Sequence, residues 1–129
     1  MQIKKDSFPA EDGHIESILL GVDQAKVSFQ TWDSRKLVLI FNNIGSTISS
    51  HSVYGDISRF EVISIDNGYN RFVFYSAWYD ENNEDKEVLS IEAESLEIFE
   101  VGTGAEINSA LFDVGYEYIG GQECPYYGG

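Results

Sequence analysis

The chain has 129 residues, enough for one domain and with little room for a second. Its 22 acidic against 8 basic residues give a formal charge of −14, which sets it against nucleic-acid phosphates and anionic membranes; the best basic cluster, Arg35-Lys36, is too small to form a binding patch. A hydrophobic share of 43%, with 8 Phe, 8 Tyr and 2 Trp, supplies a core and argues against disorder, and no apolar run nears the ~18 residues of a membrane span.

Residues 1–13 read as a lead-in, with Ile3 and Phe8 as packing anchors and Pro9 and Glu11-Asp12-Gly13 as turn signals. The Lys4-Lys5 pair is not followed by the apolar stretch of a signal peptide, and the lone Cys124 can make no internal disulfide, so a reducing cytoplasm is the expected location. From His14 the period becomes two. A run over 14–20 ends at Gly21, and Gly21-Val22-Asp23-Gln24 reads as a hairpin turn. Residues 25–32 then alternate, with Val27, Phe29 and Thr31 opposite Lys26, Ser28 and Gln30. After a tight turn at Asp33-Ser34-Arg35, residues 36–41 are apolar on both faces, as in a central strand covered from each side. Three strands joined by short loops predict an antiparallel meander.

Asn42-Asn43-Ile44-Gly45-Ser46 breaks the pattern, and the Ser-rich residues 47–54 read as a weak edge strand or an ordered loop. Alternation resumes over 57–65. Asp66-Asn67-Gly68 is a strong hairpin signal because Asn and Gly tolerate positive φ, and 71–78 forms the next strand, with Phe72, Phe74 and Ser76 opposite Val73, Tyr75 and Ala77. Further on, Leu89, Ile91 and Ala93 share one parity whereas Leu96 and Ile98 fall on the other. Either a bulge or break lies near Ser95 or the run is a helix; the β-favouring Ile98, Phe99 and Val101 and the stop at Gly102 favour two strands, 87–93 and 96–101. Residues 105–112 have the spacing of one or two helical turns. The expected architecture is a mainly β, single-domain antiparallel sheet or sandwich of about seven or eight strands over 1–119, followed by a flexible Gly/Tyr-rich tail over 120–129.

Charge is distributed unevenly along this scaffold. Thirteen of the 22 acids but only one of the 8 bases, Lys86, follow Tyr79, so the first 79 residues carry −2 and the last 50 carry −12. The densest stretch is Asp80-Glu81-Asn82-Asn83-Glu84-Asp85-Lys86-Glu87, followed by Glu92 and Glu94 and preceded by Trp78 and Tyr79. Carboxylates beside aromatics suit a surface that meets Arg and Lys, with charge for steering and aromatic area for dwell time. Equally, the carboxylates keep a sheet edge soluble and Trp78 belongs to the core.

Catalytic chemistry finds little support. Neither His14 nor His51 is matched to a serine in a nucleophile-elbow pattern, and Cys124, beside Pro125 in an acidic tail, lacks a thiolate-stabilising setting. Two distant histidines and one cysteine give no zinc spacing. Asp80-x-Asn82-x-Glu84 opens like a calcium loop but has Asp85 where glycine is needed and Ile91 where the bidentate glutamate belongs. Glu92 and Glu94 would lie about 7 Å apart on one face of a regular strand, yet so short a chain offers little cleft for a sugar. Gly102-Thr103-Gly104 continues into neither a dinucleotide fingerprint nor a P-loop. No enzyme activity, cofactor or metal is expected.

Asp12-Gly13-His14-Ile15-Glu16-Ser17-Ile18, Trp32, Leu37-Val38-Leu39-Ile40-Phe41 and Glu97-Ile98-Phe99, set in a small acidic β chain, resemble the immunity proteins of bacterial toxin–immunity systems, including those paired with contact-dependent growth-inhibition toxins. The resemblance implies binding to a cognate toxin domain, often a basic nuclease, whose active site or substrate path is then covered. On that expectation Asp80, Glu81, Glu84, Asp85, Glu87, Glu92 and Glu94 supply the field that a cationic cleft meets, and Tyr79 and Trp78 add desolvated contact. The alternative is a small-molecule-binding or structural β domain whose acidity serves solubility.

Overall fold

The two-residue period read along the chain is realised in a computed structural model, which describes residues 2–3, 8–49, 56–76, 86–101 and 117–120. Among these, ten strands form: β1 (Gln2–Ile3), β2 (His14–Leu20), β3 (Gln24–Gln30), β4 (Lys36–Asn42), β5 (Ser46–Ser49), β6 (Arg59–Ser64), β7 (Asn70–Ser76), β8 (Lys86–Ala93), β9 (Ser95–Val101) and β10 (Glu117–Gly120). They build a large sheet in the order β1-β9-β4-β3-β2-β10 and a small one in the order β5-β8-β7-β6, with every pairing antiparallel. The expected meander is present twice, as β2-β3-β4 and as β6-β7-β8. The expected helix over 105–112 and the tail beyond Gly120 lie outside the described residues. The last strand runs one residue past Ile119, with Gly120 pairing to Ile18.

Local turn chemistry sets these hairpins. Gly21 N–H donates to Gln24 O at 2.7 Å to close β2–β3. In the β3–β4 turn Thr31 N–H donates to Arg35 O at 2.9 Å, with Ser34 left-handed at φ 68°. The β6–β7 hairpin closes with Ile65 N–H on Tyr69 O at 3.0 Å, and Asn67 and Gly68 take φ values of 68° and 79°, which Asn tolerates and Gly, lacking a Cβ, adopts freely.

The core lies between the sheets. Registered rows Ala25–Phe41–Leu96, Val27–Leu39–Ile98 and Phe29–Leu37 of the large sheet face Phe72, Phe74, Leu89 and Ile91 of the small one. The Phe41 and Phe72 rings meet edge to face across the gap at 5.2 Å. Phe8 acts as the expected anchor, with its ring 5.0 Å from both Phe29 and Phe60 and so linking the two sheets at one margin. Rings in such edge contacts add about 0.5–1.5 kcal/mol to their burial.

The parity change near Ser95 has a three-dimensional cause. β8 belongs to the small sheet and β9 to the large one, with Glu94 as the exposed bend between them. Glu94 and Ser95 are both exposed at this bend, so one extra outward residue shifts the inward set from Leu89, Ile91 and Ala93 to Leu96 and Ile98, and the run is strand on both sides rather than helix. A bulge opposite Phe74 and Tyr75 adds Val88 to β8, so that Val88 and Leu89 are both buried while Glu87 is returned to the outer face opposite Tyr75. β4 is the central strand that its two-sided apolar pattern predicts, with Val38 buried on the face away from the core. Lys26 and Ser28 share that far face and are also buried, as is Glu16 at the bulge in β2.

Candidate acidic corner

The bend at Glu94 gathers carboxylates from segments far apart in the chain. Glu94 N–H donates to Asn42 O at 3.0 Å, Asn70 Nδ2 donates to Glu94 O at 3.3 Å, and Asn43 Nδ2 donates to Glu94 Oε2 at 3.1 Å. Asn43 stands at φ 54°, a left-handed position that Asn adopts more readily than most residues. One residue pair away, Gly45 N–H donates to Glu92 O at 2.7 Å, and a side chain at Gly45 would begin 3.6 Å from Glu92 Oε2. Asn42 Nδ2 donates to Glu97 Oε1 at 3.0 Å and to Ser95 Oγ at 3.2 Å, while its Oδ1 accepts from Gln24 Nε2 at 2.8 Å. Asp23 joins through its carbonyl, which accepts from Ile44 N–H at 3.1 Å. Asp23, Glu92, Glu94 and Glu97 thus border the loop of Asn42-Asn43-Ile44-Gly45. The donors to the Glu94 and Glu97 carboxylates are amides, which fix a carboxylate without cancelling its charge.

Only part of the sequence-derived surface is found here. Glu92 and Glu94 come together at the corner, although Glu94 sits in a bend rather than beyond Glu92 on one regular strand. Glu87 does not join them: Arg71 Nη2 donates to its Oε1 at 2.8 Å while Arg71 Nε donates to Ser90 Oγ at 2.8 Å. Trp78, Tyr79, Asp80, Glu81, Glu84 and Asp85 lie outside the described residues, as do His51 and Cys124. His14 is half-buried and registered with Gln30 at the start of β2. Among the described residues, no group of three or more His, Cys, Asp or Glu is placed to hold a metal ion.

Four of the described bases, all in the first 79 residues, are drawn into the fold's own pairs. Arg35 meets Glu100 at 2.8 Å, Lys36 meets the buried Glu16 at 2.5 Å, Arg59 meets Glu61, and Arg71 meets Glu87. Two of these, Arg35–Glu100 and Arg71–Glu87, cross between the near-neutral and the acidic halves. The hydrogen bond from Arg35 holds the Glu100 carboxyl below its ordinary range, and the same bond raises Arg35. On the outer face of the small sheet the Arg59 guanidinium lies 3.9 Å from the Tyr75 ring centre, and Tyr75 O–H donates to Glu61 Oε2 at 3.3 Å. Burial, reinforced by the Glu61 charge, pushes the Tyr75 phenol up.

Sequence reasoning missed Asp23 and Glu97 as members of the corner, because each is a lone acid within a turn or a strand. It also placed Trp32 inside a strand, whereas Trp32 is 69% exposed at the β3–β4 turn. The Asp33-Ser34 pair that follows it was the available signal. No protein-family model, curated protein or solved structure matches the chain.

Proposed function

We propose that this chain is a non-catalytic binding protein that neutralises a basic toxin domain, as the immunity proteins resembled by its strand pattern do, and that it acts in the cytoplasm. The observation that carries the reading is the sorting of charge. Four described bases sit in ion pairs, whereas at one corner the Glu94 and Glu97 carboxylates take amide donors and the backbone carbonyls of Asp23 and Glu92 are bonded to the same loop. A toxin that works on phosphates presents a cationic cleft, and a corner of this kind attracts it from a distance and docks as a phosphate mimic. Trp78, Tyr79, Asp80, Glu81, Glu84 and Asp85 belong to the same proposed surface on sequence grounds.

Co-expression with a candidate basic toxin domain tests the reading through rescue of growth. Stopped-flow association tests its electrostatic part. The on-rate is expected to fall at least tenfold between ~10 and ~150 mM salt, as the screening length shrinks from ~30 to ~8 Å. Glu92→Gln with Glu94→Gln should slow association several-fold and leave the off-rate nearly unchanged. An on-rate indifferent to salt removes the steering role, and failure of rescue removes the toxin.

A further inference from the structure

We infer that the open edge of β6 docks an extended cationic segment of a partner protein, which joins the small sheet as a fifth strand. This rests on the reading of the chain as a binder of basic proteins, but on a surface distinct from the acidic corner. Among the described residues β6 pairs only with β7. The hydrogen-bond phase follows from the hairpin: Ile65 and Tyr69 form a bonded pair, so Ile63 and Glu61 bond inward to Arg71 and Val73. Antiparallel alternation then turns the N–H and C=O groups of Phe60, Val62 and Ser64 toward the open side.

That side is apolar as well as unpaired among the described residues. Val62 and Ile63 in β6 and Ile65 just after it are 39%, 40% and 37% exposed, and the strand has neither the proline nor the inward-pointing charge that commonly guards an edge. Beside it lies an open groove of about 440 Å³ lined by Phe8, Ala10, Glu11, Arg59, Phe60 and Val62, among others. An added strand uses both features, because its backbone completes the ladder while alternate side chains enter the groove.

Charge selects the occupant. Exposed Glu11, Asp12, Asp56 and Asp66 lie toward the two ends of β6; Asp12 N–H donates to Ile57 O at 2.8 Å, which places the first three together. The nearby base, Arg59, is engaged with Glu61 and Tyr75. Aliphatic residues at alternate positions with Lys or Arg between them fit this edge. A second copy fits it poorly. Each chain carries −14, and twofold pairing about Val62 would set Glu61 against Ile63 and Arg59 against Ile65, gaining no ion pair.

The test uses the full chain and a short capped peptide of alternating lysine and valine, followed by backbone NMR and amide exchange. The amides of Phe60, Val62 and Ser64 should exchange fast in the free chain, then shift and become protected as peptide is added. N-methylating the peptide on its pairing side should weaken binding at least tenfold, since it removes ladder bonds without altering charge. Val62→Lys should weaken binding comparably, whereas Glu92→Gln with Glu94→Gln should not. Protection of those amides in the free chain, a concentration-dependent dimer that protects them, or equal binding of the N-methylated peptide each overturns the inference. Salt-dependent toxin association that bypasses β6 would leave the toxin-binding reading standing alone. Peptide docking without growth rescue would leave only the edge site.

Discussion

On the large sheet the far face is closed, with Leu19, Lys26, Ser28 and Val38 buried there together with Glu16, whereas the small sheet surrounds its buried Val73 and Ser90 with charges and ends in the exposed aliphatics of β6. The carboxylates follow the same division. Glu16 on the large sheet is buried between Lys36 Nζ and Ser28 Oγ, at 2.5 and 3.5 Å, and Lys36 also donates to Gln30 Oε1 at 2.7 Å. Glu94, where the chain passes between the sheets, is exposed and held by amides. One carboxylate is therefore part of the fold, and the other is available to something outside it. Position in the sheet, rather than density along the chain, separates the two roles.

The division is broken most forcefully at Lys36. Lys36→Met leaves the buried Glu16 carboxylate without this cation, and because Lys36 is itself 36% exposed the cost falls below that of a fully buried pair, at about 2–3 kcal/mol. Urea unfolding should show a loss of that size, and adding Glu16→Leu should recover most of it, because an apolar pair needs no compensation. The corner should behave oppositely: Glu94→Gln should change stability by no more than about 0.5 kcal/mol, as expected of an exposed surface substitution. Equal losses at Lys36 and Glu94 would erase the distinction between the two carboxylates.

A medium effect is expected at Gly13, where the lead-in meets both sheets. A side chain there would begin 2.4 Å from Phe29 Cε1 and 2.7 Å from the Gln30 carbonyl, while Gly13 O accepts from Ile57 N–H at 2.7 Å. Gly13→Ala must displace a buried ring or the backbone, at a cost of about 1–3 kcal/mol. Amide exchange should report the loss first at Ile57, on the approach to β6, and later in the β3–β4 ladder. Uniform acceleration across both sheets would show that the sheets do not yield separately.

The meander, the Asn-Gly hairpin and the break near Ser95 were legible because each rests on local period or turn chemistry. That the break is a crossing between sheets was not, since parity is local while sheet membership depends on β4 pairing with β9 and β7 with β8. β1 and β10, of 2 and 4 residues, are too short to display a period. Glu87 was assigned to the acidic surface because its neighbours in sequence are acidic. The bulge at Val88 instead directs it to the face bearing Arg71, and neither the bulge nor that register is written in the local pattern. At the candidate site, Glu92 and Glu94 were legible as outward acids, whereas Asp23 and Glu97 joined them only through Asn42 and Ile44, whose positions depend on the fold.

The smallest expected effect concerns Arg35 and Glu100, which pair across the open end of the large sheet between the neutral and acidic halves of the chain. The bond from Arg35 sets the folded-state pKa of Glu100 below its ordinary value of 4.5. A depressed carboxylate contributes stability that is fully present above the unfolded value and is lost as pH falls through the folded one. Glu100→Gln should therefore lower Tm slightly at neutral pH, and the difference from the unaltered chain should vanish on acidification below that folded pKa. Because the pair is part-exposed, added salt should also shrink the difference at pH 7. A Tm difference that survived both acid and salt would mean that Glu100 acts through packing, which would place it with the buried Glu16 rather than with the exposed acids of the corner.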